Sequence, residues 1–185
     1  YDGSLENQYL DYYHHAQKYL DFLAQKADLN DLSPIQYASD EGYHYFLSQH
    51  ATAENVNLPT PYQMTPLHLA ATSGHIHTVD VLLEHGANPH ALNNQGEPPI
   101  FSALFLPMLY RHNSVEQKKL IFSLLAMKAP ETLIHVDKDG NTILHLMASH
   151  PVFAELIDAI IRQHPELAFK PNHYGLYPIH LAILN

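Results

Sequence analysis

One short motif recurs along the chain, and it restricts the possible folds more than any other feature. Residues 65–71 read TPLHLAA, and variants of this segment begin at residues 33 (SPIQYA), 98 (PPIFSA), 142 (TILHLMA) and 177 (YPIHLA). Successive copies are therefore 32, 33, 44 and 35 residues apart. A unit of this length cannot bury its apolar face alone, so repeats of this period stack on one another. The motif predicts a row of similar units, each supported by its neighbours.

The sequence of one copy predicts two helices and a turn. Thr65 is suited to cap a helix, Pro66 suits the first helical position, and Gly74 can end the helix in the left-handed conformation. The cluster at 93–96, Asn-Asn-Gln-Gly, is typical of a hairpin turn. A second helix between these signals is indicated by apolar residues at helical spacing, namely Ile76, Val79, Leu82 and Leu83.

The same offsets recur in the other copies. Helix-stopping residues stand nine positions after four of the openings, at Gly42, Gly74, Pro107 and Pro151. Turn-forming residues stand two positions before an opening, at Gly96, Gly140 and Gly175, with Gln63 replacing glycine in the second copy. A period near 33 that opens with Thr-Pro-Leu-His resembles the ankyrin repeat. The resemblance implies an all-α solenoid of stacked helix-turn-helix units with short hairpin fingers, and it points to partner binding instead of catalysis.

The resemblance also divides the chain. Residues 1–30 are predicted to form an N-terminal capping helix, because a terminal repeat needs a solvated outer face. The repeats are expected over about 31–63, 64–95, 96–139 and 140–174, with a partial repeat over 175–185. The gap of 44 indicates an insertion near 108–113, which either packs on a neighbouring repeat or forms a contact site. Since the last apolar face lacks a covering helix, the natural chain is expected to continue past residue 185.

Composition argues against several functional classes. Nine basic against nineteen acidic residues give a formal charge of -10, which disfavours nucleic-acid binding. The absence of cysteine removes disulfides, thiolate zinc sites and a cysteine nucleophile, and it fits a reducing, cytoplasmic location. No apolar run approaches the ~18 to 20 residues that span a bilayer, so no membrane partner is expected. No phosphate loop or hydrolase motif is present, and we predict no cofactor and no enzymatic activity.

Sixteen histidines raise the possibility of a metal site. However, His68, His145 and His180 hold the fourth position of the repeat opening. In the ankyrin family the imidazole at this position binds the backbone and the capping threonine, tying adjacent repeats together. A calcium loop at 137–141 is rejected, because such a loop needs glycine at its sixth position and glutamate at its twelfth. We therefore predict no metal ligands.

In ankyrin arrays the hairpins act as fingers and the first helices as a palm, and partners bind across both. Mapped onto this chain, these positions mix aromatic, amide and acidic groups, which suits a protein or peptide surface of some basic character. Tyrosine favours contact there, because it offers a rigid face and a polar tip. The predicted partner-binding residues are Tyr62, Met64, Thr72, Ser73, Asn94, Gln95, Glu97, Tyr110, Arg111, Lys138, Asp139, Asn141, His150, His173 and Tyr174.

The predicted function is a non-catalytic scaffold that binds a partner protein, and the array is expected to be monomeric. The alternative is a substrate-targeting or regulatory segment of a larger enzyme whose catalytic domain lies outside these residues. The irregular spacing and the insertion are similar to divergent ankyrin arrays in effector proteins of intracellular bacteria. If the chain is such an effector, it is secreted into the host cell.

Overall fold

The computed structural model describes residues 31–105, 115–148 and 150–184, together with Asp21, Ala24 and Gln25, which are helical. Apart from those three residues, the predicted capping helix over 1–30 lies outside the described residues. The predicted insertion over 108–113 lies outside them as well. The helices and fingers below are therefore those of the described ranges.

The described residues form helices that follow one another in pairs. The first two pairs are α1 (Pro34–Glu41) with α2 (His44–His50), and α3 (Pro66–Ser73) with α4 (Ile76–Glu84). They are followed by α5 (Pro99–Ser102) with α6 (Val115–Lys128), α7 (Ile143–Ala148) with α8 (Ala154–Gln163), and α9 (Pro178–Leu184). Short 3-10 turns cover Pro130–Ile134, Pro151–Phe153 and Pro165–Phe169. The described residues contain no strand, and Val136 and Thr142 form an isolated antiparallel bridge.

The helices pack in two rows. The first helices of successive pairs contact one another, α1 with α3, α3 with α5, and α7 with α9. The second helices form the other row, in which α2 contacts α4 and α4 contacts α6. The buried apolar side chains between the rows form one continuous cluster that includes Leu47, Leu82, Ile121 and Phe153. This layout is that of a solenoid, in which each unit is stabilised by its neighbours.

Helix ends agree with the sequence signals in the first two pairs and disagree in the third. Gly42 and Gly74 end α1 and α3 in the left-handed conformation, with φ of 81° and 80°. In the third pair the predicted stop at Pro107 is wrong, because α5 already ends at Ser102. The chain turns there to bury Leu104, and the carbonyl of Phe105 accepts a hydrogen bond from the buried Lys118 at 2.6 Å. Tertiary contacts therefore end this helix before the proline is reached.

Four hairpin turns, here called the fingers, precede the openings of the later repeats. In each finger the first residue donates its N–H to the carbonyl of the fifth, at 2.8 to 3.0 Å. The fingers are 60–64, 93–97, 137–141 and 172–176. Their fourth residues all have positive φ, with 61° at Gln63, 76° at Gly96, 78° at Gly140 and 74° at Gly175. Gln63 thus adopts the conformation of the glycine it replaces, which supports the alignment of the copies.

Backbone hydrogen bonds also join one finger to the next. The second residue of a finger donates its N–H to the carbonyl of the third residue in the preceding finger. Three such bonds are formed, from Asn94 to Tyr62 at 3.1 Å, from Lys138 to Gln95 at 2.9 Å, and from His173 to Asp139 at 2.8 Å. In the finger at 60–64 the donor position is held by Pro61, which has no N–H. These bonds hold the four fingers at fixed spacing along one edge of the solenoid.

Candidate partner-binding groove

A groove of about 480 Å³ opens beside the finger at 93–97, between α3, α5 and α7. Its walls combine finger residues, the end of α3 and the segment that follows α5. The lining residues are Met64, Thr72, Asn93, Asn94, Gln95, Glu97, Phe101, Ser102, Leu104, Phe105, Leu146 and His150. Its volume lies within the range of roughly 300 to 1,000 Å³ that is typical of ligand pockets.

The groove owes its position to the short helix α5. Helix α3 has eight residues, whereas α5 has four, so the row of first helices is interrupted after Ser102. Phe105 follows this end of α5 and remains 59% exposed. The floor is apolar and the finger side is polar, which is the distribution that orients a bound chain.

The structure brings together six of the residues predicted for partner binding. Those that line the groove are Met64, Thr72, Asn94, Gln95, Glu97 and His150. The remaining finger residues, Tyr62, Lys138, Asp139, His173 and Tyr174, are exposed and do not line it. Two predicted residues have internal hydrogen bonds instead: the Ser73 hydroxyl donates to Asp40 at 2.6 Å, and the Asn141 amide bonds Asp137 and Asn172. Tyr110 and Arg111 lie outside the described residues.

Several lining residues were not predicted as contacts. Phe101 and Leu104 were missed because their spacing is that of an ordinary buried helix face. Phe105 was missed because α5 was expected to continue to Pro107. Leu146 lies in a later repeat, and only the stacking of α7 brings it to the groove. The apolar run from Ala103 to Leu106, which follows the repeat opening at residue 98, could have indicated an apolar contact surface here.

Asn93 organises the polar wall of the groove. Its Oδ1 accepts the N–H groups of Gln95 and Glu97 at 2.9 and 3.0 Å. Its Nδ2 donates to Glu97 Oε2 at 2.8 Å and lies 3.7 Å from the Met64 sulfur. Asn93 itself is 8% exposed, so its bonds are shielded from water. The Glu97 carboxylate is therefore fixed against the finger by one of its oxygens.

The two exposed finger tyrosines differ in their surroundings. Tyr62 and Tyr174 are each 70% exposed. The Tyr174 hydroxyl donates a hydrogen bond to Asp139 Oδ1 at 3.0 Å, and this bond raises the pKa of the phenol. Both rings present large apolar faces to solvent at the tips of the array, which is the kind of surface that protein contacts use.

The repeated histidine ties adjacent repeats together, as the resemblance implied. His68 Nδ1 accepts the N–H of Thr65 at 3.1 Å, so this nitrogen is unprotonated, and Nε2 donates to the carbonyl of Glu97 at 3.0 Å. His145 makes the equivalent bonds to Thr142 and Leu176, at 3.1 and 2.9 Å. Burial lowers the pKa of His68 to about 4, although the bond to Glu97 acts in the opposite direction. His68 and His145 are thus used structurally.

The third repeat replaces this tie with a different one. Its fourth opening residue is Phe101, which has no polar atom on its side chain. The imidazole of His135 instead donates from Nε2 to the carbonyl of Gly96 at 2.7 Å, and its ring meets the Phe101 ring edge-on with centroids 6.1 Å apart. This bond joins the segment before the finger at 137–141 to the finger at 93–97, so successive fingers remain linked by an imidazole.

Lys118 is a buried cation behind the groove. It lies on α6, is 2% exposed, and donates from Nζ to the carbonyls of Thr72, Phe105 and Ala71. Burial lowers the pKa of this ammonium to about 8. Two of these carbonyls lie at the end of α3, where the helix dipole favours a positive charge. Since Thr72 and Phe105 line the groove, Lys118 fixes the backbone of one of its walls.

Other types of site find little support in the described ranges. No three histidine, aspartate or glutamate side chains there are arranged to hold a metal ion. The Asp137 carboxylate, once considered for calcium, accepts the N–H groups of Asp139 and Asn141 at 2.9 and 2.7 Å. None of the helices described is both long enough and apolar enough to cross a bilayer.

Comparison with known proteins agrees with this geometry. The family model described as the ankyrin repeat matches residues 62–94. Rabankyrin-5 from Mus musculus is 29% identical over 143 residues, an alignment that covers 64% of this chain and 12% of the mouse protein. The chain thus spans only a small part of the length of this relative.

Residues 62–94 match the ankyrin-repeat family, and the helices of the described ranges form an all-α solenoid of the ankyrin type. The expectation of an ankyrin resemblance and of this fold class is confirmed. Ankyrin repeats are in general modules for protein interaction.

Proposed function

We propose that this chain is a non-catalytic scaffold that binds a partner protein through the fingers and the groove beside 93–97. The observation that supports this proposal most directly is the groove itself. It gathers six residues that were selected from the sequence for contact, and it adds an exposed aromatic side chain, Phe105. A cytoplasmic location and a monomeric array are further parts of the proposal, and they rest on the cysteine-free composition and on the stacking of a single chain.

The experiment begins with affinity capture of partners by the chain and identification by mass spectrometry. The binding of a captured partner is then measured with Tyr62→Ala, Tyr174→Ala and the control Tyr45→Ala. Tyr45 is 68% exposed but lies on α2, in the other row of helices. We expect both finger variants to weaken binding while the melting temperature stays nearly unchanged, and we expect the control to bind normally. Equal affinities for all three variants would reject the finger surface.

A second candidate is a targeting or regulatory array within a larger enzyme or a bacterial effector. The observation that favours it is the length of the mouse relative, of which this chain covers 12%. Repeats of this kind therefore occur as one segment of a much longer protein. The full-length sequence separates the two possibilities, because a catalytic signature outside these residues is expected under the second alone.

A further inference from the structure

The groove contains a carboxylate that lacks a cationic partner among the described residues. Glu97 Oε2 accepts the Asn93 amide at 2.8 Å, whereas no lysine, arginine or histidine of the described ranges lies within ion-pair distance of Glu97. The nearby buried cation, Lys118, directs its protons at backbone carbonyls. Glu97 is half-buried, so a cation that reached it would meet a charge only partly screened by water.

Apolar side chains line the same groove as this carboxylate. Phe105 is 59% exposed, and Met64 and Leu146 line the same cavity. A lysine or arginine side chain combines an apolar stem with a charged head, so it can lie along such walls while its head meets a carboxylate. An aromatic ring adds attraction for a cation that passes over its face. The groove therefore matches both parts of a basic side chain.

The remaining groups suit a peptide instead of a small amine. Asn94 and Gln95 are exposed amides at the rim of the groove, and amides bind the N–H and C=O groups of an extended backbone. The chain as a whole carries a formal charge of -10, which attracts basic segments over longer distances. The negative net charge of the chain and the carboxylate of Glu97 thus both favour a basic peptide.

We infer that the groove binds an extended peptide segment of the partner that presents a lysine or arginine to Glu97 and an apolar side chain to Phe105. This inference rests on the proposed function and names the chemistry of the partner. The charged head accounts for specificity, and the apolar neighbour accounts for much of the buried area.

The test uses a peptide array probed with the 185-residue chain. Ten-residue peptides carry lysine, arginine, glutamine or glutamate at the centre, beside either leucine or serine. The best binder is then titrated against the natural chain, Glu97→Gln, Phe105→Ala and the control Glu155→Gln. Glu155 is an exposed carboxylate on α8 and does not line the groove. Circular dichroism melts check that each variant is folded.

We expect peptides with a basic centre and a leucine to bind most tightly. Glu97→Gln is expected to weaken this binding about tenfold and to reduce its salt dependence, because a desolvated charge pair is lost. Glu155→Gln is expected to bind normally. Replacing the basic residue of the peptide by glutamine is expected to weaken its binding to the natural chain by about the same factor. The same replacement is expected to change the binding to Glu97→Gln very little, because the two changes remove the same interaction.

The inference is overturned if no basic peptide binds, if glutamate-centred peptides bind best, or if Glu97→Gln binds as well as Glu155→Gln. Other outcomes test the proposed function separately from this inference. If Phe105→Ala abolishes binding while Glu97→Gln does not, the groove binds partners through other chemistry and the scaffold proposal stands. If peptide binding is insensitive to Phe105→Ala, Glu97→Gln and Tyr62→Ala together, the binding surface has been assigned to the wrong face.

Discussion

Gln36 and His68, at the same position of successive repeats, each accept the N–H three residues earlier and donate to a carbonyl near the next repeat opening. Gln36 Oε1 accepts the N–H of Ser33 at 2.8 Å, and its Nε2 donates to the carbonyl of Leu58 at 2.9 Å. His68 does the same with Nδ1 towards Thr65 and Nε2 towards Glu97. The chain thus contains its own example of an amide in place of the imidazole, and this example suggests a matched pair of variants.

His68→Gln is expected to fold with nearly natural stability at pH 7.5, because glutamine can make both bonds. His68→Leu is expected to lose about 2 to 4 kcal/mol, since the N–H of Thr65 and the carbonyl of Glu97 are then buried without partners. Urea unfolding of the natural chain and both variants measures the difference. Equal losses for glutamine and leucine would mean that the hydrogen bonds contribute little.

The lowered pKa of His68 predicts that the stability of the fold depends on pH. Burial lowers the pKa of His68 to about 4 from the ordinary value of 6.5, so between these values the unfolded chain binds a proton that the folded chain does not. The stability linked to this group is therefore fully present above pH 6.5 and decreases as the pH falls towards 4. We expect the natural chain to lose about 2 to 3 kcal/mol more than His68→Gln over this window. Parallel stability curves would show that His68 titrates normally.

Lys118 predicts a pH effect on the alkaline side. Burial lowers its pKa from 10.5 to about 8, so between pH 8 and 10.5 the unfolded chain holds a proton that the folded chain has released. Stability linked to Lys118 therefore rises with pH in this window. Relative to Lys118→Met, the natural chain is expected to gain about 2 kcal/mol between pH 8 and 10. Urea unfolding at several pH values tests this, and a constant difference between the two proteins would contradict it.

Two finger glycines have nearly the same backbone conformation but differ in the space around them. Gly140 and Gly175 have φ of 78° and 74°, so alanine at either position is strained by about 1 to 2 kcal/mol. A Cβ at Gly140 would also lie 2.7 Å from His173 Cδ2 and 3.0 Å from the His173 nitrogen, whereas at Gly175 it meets nothing within 4 Å. His173 cannot retreat freely, because its N–H is bonded to Asp139.

Gly140→Ala is therefore expected to be less stable than Gly175→Ala by about 1 kcal/mol or more. Thermal or urea unfolding of the two variants gives this difference directly. The natural chain serves as the reference for the strain common to both. If the two variants unfold alike, the contact between adjacent fingers is looser than the structure indicates.

Local signals made much of this fold predictable. Pro66 and Gly74 mark the ends of α3 because capping and left-handed termination depend on a few adjacent residues. The finger turns followed from the same kind of signal, and Gln63 was identified by position alone. The histidine ties were available only through the family resemblance, because their partners in the next repeat are about 30 residues away.

The features that were missed depend on contacts between distant residues. Nothing in the local sequence distinguishes Lys118 from an exposed lysine, and only the stacking of α6 behind α3 brings it to the carbonyl of Thr72, 46 residues earlier. The early end of α5 follows from that same contact network. The finger residues of the groove could be predicted, because they belong to two recognisable turns. Leu146 could not, because it belongs to a later repeat.

Pro61 makes the finger at 60–64 different from the three that follow it, because it lacks a backbone N–H. Every backbone bond between fingers runs from a later N–H to an earlier carbonyl, and the first finger has no N–H to offer at the donor position. An exposed edge of unpaired backbone groups can recruit stray extended chains, and proline is one of the residues that prevent this. Pro61 therefore offers no N–H at the second position of the finger at 60–64, and this removes one backbone donor with which a stray extended chain could pair there.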